Sequence, residues 1–196
     1  MTNYMTLSDA FWRSNSIMRQ MVLVVAGIVL MAIAAKIKVP LPNTPVPVSM
    51  GTFAVLTIGA AYGPRLGLAT IIGYLIIGAL GFDVFAGSSA ALNGWTYMTG
   101  STGGYLVGFV LALLVLAYAA TKGWDRSAAK LVPVLIIANA FIYIPGMAWL
   151  SYLYGMDIST AFAKGVAPFL MGDALKIALT ATLLPAAWAI VKRIKG

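Results

Sequence analysis

The chain has 196 residues, 61% of them hydrophobic and only 9% charged, with a formal net charge of +8 and a mean hydropathy of +0.94. It lacks cysteine and histidine, and its five acids are all aspartates. Thiolate nucleophiles, disulfides, histidine-based metal sites and histidine-dependent hydrolysis are thereby excluded, and little remains for a carboxylate metal cage or a paired-carboxylate hydrolase. Composition this apolar defines a polytopic membrane protein, in which loop cations account for the positive charge without nucleic acid.

Residues 1–17 contain Asp9, Phe11, Trp12 and Arg13 but no continuous apolar core and no clear small-residue cleavage site. They read as a retained cytoplasmic or interfacial segment ahead of a substrate-binding domain over 18–196. Apolar runs predict an all-α bundle of six transmembrane helices, at about 18–36, 51–63, 66–81, 104–121, 130–150 and 173–191. The second and third are shorter than the ~20 residues of a straight crossing. With a cytoplasmic N-terminus, the inside receives Arg13, Arg19, Arg65, Lys122, Arg126, Lys130, Lys192, Arg193 and Lys195, and the outside only Lys36, Lys38 and Lys164. The positive-inside rule therefore puts both termini in the cytoplasm. The loops at 37–50, 82–103 and 151–172 then share the outer face.

The first outer loop carries four prolines in eight residues, Pro40, Pro42, Pro45 and Pro47, a pattern that excludes helix and stiffens the chain. It reads either as a plain connection or as a cap over a ligand, with Asn43 and Thr44 offering hydrogen bonds. The second holds Phe85, Ala86, Gly87, Asn93 and Trp95, and ends in Thr102-Gly103-Gly104-Tyr105 at the head of the fourth span. Free amides at a helix start suit an anionic or carbonyl oxygen, and the aromatics fit either a binding wall or an interfacial belt. Tyr143, Trp149 and Tyr152, near the outer end of the fifth span, have the same two readings.

Asp173 and Lys176 stand one turn apart at the head of the sixth span. A helix-start aspartate is explained by capping and by the helix dipole. The lysine is not, because an ammonium in the first turn opposes that dipole. It pairs with Asp173, snorkels outward or receives a ligand group, and ionisable residues inside a membrane mark function by default.

Taken together, Pro-Leu-Pro-Asn-Thr-Pro-Val-Pro at 40–47, Gly63-Pro64-Arg65-Leu66-Gly67, Gly81-Phe82-Asp83-Val84-Phe85-Ala86-Gly87, Thr102-Gly103-Gly104-Tyr105 and Pro168-Phe169-Leu170-Met171-Gly172-Asp173-Ala174-Leu175-Lys176 resemble the BioY family. Its members are the biotin-binding S components of energy-coupling factor (ECF) vitamin transporters. The resemblance spans about 20–190 and implies a high-affinity biotin site near the outer face of a prokaryotic cytoplasmic membrane. It also implies partners, namely a transmembrane coupling protein and two ABC ATPases, docked through small residues of the first helix. Here those are Ala26, Gly27, Ala32 and Ala35, without a strict Ala-x-x-x-Ala pair. The chain has no G-x-x-x-x-G-K-[ST] loop, so ATP coupling by that route belongs to partners.

In this reading Asp173 accepts a ureido N–H, helped by Asn43 or Asn93. Phe85, Trp95 and Tyr105 pack on the bicycle, and Lys176, Thr102 and the Gly103-Gly104 amides hold Asp173 or the carboxylate. The direction in which biotin lies is left open. No enzyme chemistry, metal or cofactor is expected. The alternative is a stand-alone carrier of biotin or another small vitamin, including one in which Asp173 carries a proton.

Overall fold

The computed structural model describes residues 5–12, 14, 16–39 and 44–195. In chain order the helices are α1 (Leu7–Phe11), α2 (Ile17–Lys36), α3 (Gly51–Ala79), α4 (Gly94–Met98), α5 (Gly103–Thr121), α6 (Ala128–Tyr154), α7 (Ile158–Gly165) and α8 (Leu170–Lys195). Two short strands, β1 (Lys38–Val39) and β2 (Val48–Ser49), pair antiparallel across the first outer loop. The 151–172 segment, read as loop, contains α7, whose first turn is capped by the Asp157 carboxylate accepting from the Thr160 amide.

Among the described residues, five helical stretches are long and apolar enough to cross a membrane: Ile17–Lys36, Gly51–Ala79, Gly103–Thr121, Ala128–Tyr154 and Ile158–Ile194. The second and third predicted spans thus lie within one helical element, α3. That element is not straight. Gly63 has φ 71° and ψ −172°, a conformation that favours glycine and ends a helix. A continuous helix would hold Thr52 and Tyr74 ~33 Å apart at 1.5 Å per residue, yet both line one cavity. The chain therefore folds back at Gly63 into two arms, 51–62 and 64–79.

Packing is dominated by small residues. α5 lies between α3 and α6, and its Gly104 and Gly108 bring the α6 backbone so near that a Cβ there would sit 2.2 Å from the Pro145 carbonyl oxygen and 2.6 Å from Ile142 Cα. This is the small-x-x-x-small approach by which membrane helices gain contact without a hydrophobic driving force. The exterior is apolar in turn. Along α2, Ile17, Met21, Val25, Val29 and Ile33 are all exposed, as suits a lipid-facing surface.

Candidate ligand-binding site

Residues from all three outer loops and from α2, α3, α5, α6 and α8 line a cavity of about 70 Å³. Its polar centre is Asp173 and Lys176, 2% and 6% exposed. The Lys176 ammonium donates to Asp173 Oδ1 at 2.9 Å and to Thr52 Oγ1 at 2.8 Å. Asp173 Oδ2 accepts from Asn139 Nδ2 at 3.0 Å and from the Tyr143 hydroxyl. Three helical elements, α3, α6 and α8, thus meet at one ion pair. The arithmetic of donors leaves one Lys176 N–H and one lone-pair site of Asp173 for a ligand.

The apolar wall is an aromatic cluster. Phe85, 1% exposed, stacks on Tyr97 (ring centroids 5.1 Å apart, planes at 14°) and meets Tyr74 edge-on at 5.2 Å. It has room because Gly78 faces it without a side chain; a Cβ there would stand 2.0 Å from the Phe85 ring. The loop that delivers Phe85 is clipped to the end of α2. Lys36 Nζ donates to Asp83 Oδ1 at 2.5 Å and to the Phe85 carbonyl at 2.8 Å. The Ser88 hydroxyl donates to Asp83 at 2.6 Å and accepts from the Phe85 amide at 3.0 Å.

Hydrogen bonds from Lys36 and then Ser88 hold the Asp83 carboxyl below its ordinary range. A carboxyl depressed in the fold contributes stability that is complete above its unfolded value, ~3.9, and lost as pH falls through the lower folded value. Protection of the Phe85 and Gly87 amides against hydrogen exchange, corrected for intrinsic rates, is therefore expected to drop below about pH 4. Asp83→Asn is expected to remove that step. An unchanged pH profile in the variant would show that the clip is not what holds the loop.

The lid is built from Val46, Pro47 and Ser49. Ser101 Oγ ties it to the second loop by donating to the Pro45 carbonyl at 3.0 Å. On the other side the Tyr105 hydroxyl donates to the Gly165 carbonyl at 2.8 Å and anchors α7. Thr102 lies buried in the lining, its hydroxyl without a well-formed hydrogen bond among the described residues.

Of the predicted residues, Phe85, Ala86, Thr102, Tyr105, Asp173 and Lys176 line the cavity. Asn43 falls outside the described residues, and Thr44 turns back on its own loop, accepting from the Val46 amide. Gly87 stands behind the lining, its amide donating to the Tyr97 hydroxyl. Four expectations require correction. Trp95 is 69% and Tyr152 80% exposed, so neither reaches the cavity; Tyr97 and Tyr143 supply the aromatic surface instead. Asn93 spends its amide on the Ser89 and Ala90 carbonyls. Gly103 and Gly104 are pressed against the Met98 and Pro145 carbonyls and serve packing. Among the docking candidates, Gly27 is buried against Thr70 and Tyr62, Ala35 lines the cavity and Ala32 packs on the core. Only Ala26 is exposed.

Trp95→Ala and Tyr152→Ala are accordingly expected to leave ligand affinity within about twofold. Tyr97→Ala, which removes a stacked, buried ring, should cost ~3 kcal/mol or more of the local structure. Parallel equilibrium titrations of the three variants check this.

A helical membrane protein with an enclosed cavity that pairs an aromatic wall with a buried ion pair is a small-molecule binding component. The chain belongs to the BioY family, whose sequence profile matches residues 3–193. The family is one of transporter components, and the chain is accordingly not an enzyme. A probable biotin transporter BioY of Pyrococcus horikoshii is 34% identical over 160 residues, covering 82% of this chain and 90% of its own. The biotin transporter BioY of Thermotoga maritima is 31% identical over 166 residues, covering 85% and 94%. A crystal structure of the S-component for biotin from an ECF-type ABC transporter superposes with a TM-score of 0.78 over 91% of this chain and 93% of that one, at 19% identity. At that identity the likeness speaks for the fold.

Proposed function

We propose that this chain binds biotin in the cavity beside Asp173 and Lys176 and acts as the substrate-specific subunit of an ECF-type uptake system in a prokaryotic cytoplasmic membrane. The observation that carries the reading is the buried ion pair in the lining of an otherwise mainly apolar cavity. Because the pair is neutral overall, it matches a neutral group that both donates and accepts. The ureido end of biotin is such a group: its N–H donates to Asp173 and its carbonyl accepts from Lys176. A ligand carboxylate there would add an unbalanced buried charge. The bicycle then lies among Phe85, Tyr105 and Tyr143, and Thr102 offers its hydroxyl.

Two further points complete the reading. The two arms of α3 count as separate short crossings, giving six with both termini cytoplasmic, and residues 1–17 form an interfacial segment before the binding domain. The coupling protein and its two ATPases meet the exposed stripe of α2 around Val22, Val25, Ala26 and Val29, rather than the buried small residues. The test is uptake of labelled biotin in cells lacking their own uptake system, with and without the coupling protein and ATPases. Accumulation that needs both the module and ATP supports the reading. Equal uptake without them, collapsing with the proton gradient, would establish the stand-alone carrier.

A further inference from the structure

At the end of the bundle opposite the ligand cavity lies a second cavity, of about 370 Å³, lined by Thr6, Asp9, Arg19, Gln20, Tyr62, Pro64, Arg65 and Leu66. Arg19 is only 3% exposed. Its Nη2 donates to Asp9 Oδ1 at 2.9 Å and its Nη1 to the Ser14 carbonyl at 3.0 Å, but its Nε, equally buried, has no partner among the described residues. Asp9 is already engaged on both oxygens, since Oδ2 accepts from the Thr6 hydroxyl at 2.7 Å. Arg65 makes no ion pair among the described residues. Two guanidiniums against one carboxylate leave the cavity with a net positive charge. Its free polar groups are mostly donors: Arg19 Nε, the Arg65 fork, the Gln20 amide and the Tyr62 hydroxyl.

We infer that this cavity holds the phosphodiester of an anionic phospholipid. A donor-rich, net-cationic pocket selects an acceptor-only anion, and arginine forks match phosphate oxygens in pairs. Its place decides the source of that phosphate. Arg19 stands in the first turn of α2 and Arg65 beside the Gly63 reversal of α3, so the cavity lies where the spans meet the headgroup layer. Exposed Ile17, Met18, Met21 and Leu68 flank it and offer the apolar track that acyl chains require. A zwitterionic headgroup would bring its own cation towards the arginines, so the preference is for net-negative lipid.

The full chain, reconstituted in bilayers of phosphatidylcholine mixed with phosphatidylglycerol, is released into detergent and its retained lipid counted by native mass spectrometry. Wild type is expected to retain one phosphatidylglycerol in preference to phosphatidylcholine, and Arg65→Gln to reduce that preference roughly fivefold. Arg19→Gln is expected to abolish it. Arg65 is exposed, and unchanged biotin titration of Arg65→Gln confirms its fold should Arg19→Gln fail to express. Equal retention by wild type and Arg65→Gln would overturn the inference. So would complete displacement of phosphatidylglycerol by excess inorganic phosphate, which would make this a small-anion site.

Discussion

Replacing Lys176 by alanine is expected to weaken biotin binding by roughly two to three powers of ten or more. Removing one member of a desolvated ion pair typically costs ~3–5 kcal/mol, because the remaining charge stays buried without its counterion. Asp173 would keep Asn139 and Tyr143 but lose the ammonium 2.9 Å away, and Thr52 would lose its donor. Fold and ligand effects separate with the double variant Asp173→Asn/Lys176→Met. Removing both charges is far less disruptive to a buried site than removing one, so thermal stability should recover relative to Lys176→Ala while biotin binding stays lost. Wild-type affinity in Lys176→Ala, measured by equilibrium titration, would remove the ion pair from the binding site.

The second large effect concerns a residue with no side chain. Gly78→Ala places a methyl group 2.0 Å from the Phe85 ring, so the ring must leave its seat between Tyr74 and Tyr97. Overpacking of this kind costs ~1–3 kcal/mol, and because Phe85 lines the cavity, biotin affinity is expected to fall about tenfold or more. Gly73→Ala, on the same arm, is the matched control. Its new methyl meets only the mobile tip of Ile28, at 2.7 Å, and it gains the same ~1 kcal/mol of helix propensity. Affinity equally affected in both variants, or in neither, would mean that the aromatic seat is not specific to Gly78.

Asp173 and Lys176 are legible in the sequence because two charges in an apolar helix demand an explanation, and the structure puts them at the centre of the cavity. The fold-back at Gly63 is legible too, since Gly63-Pro64-Arg65 interrupts an apolar run with a residue free to adopt positive φ, a proline and a charge. The two arms follow each other with a single reversed residue between them, so no loop composition marks the turn. Tyr143 is legible only as one of two readings, binding wall or aromatic belt, and the cavity lining takes the first; Asn139 is missed for a different reason. It lies inside the 27-residue, mostly apolar α6, where nothing in one dimension distinguishes the azimuth facing Asp173 from the one facing lipid. The exchange of Trp95 for Tyr97 has the same origin: on the five-residue α4 a shift of two residues turns a side chain to the opposite face. Gly103 and Gly104 show that glycine marks close approach without naming the visitor, here the Met98 and Pro145 carbonyls rather than a ligand.

Titration calorimetry of biotin into the purified, detergent-solubilised chain, with thiamine and riboflavin as controls and Asp173→Asn alongside, tests the central claim most directly. Tight one-to-one binding of biotin alone, lost in Asp173→Asn, is the predicted result. A folded wild-type protein that binds no biotin, or binds riboflavin equally well, would contradict it.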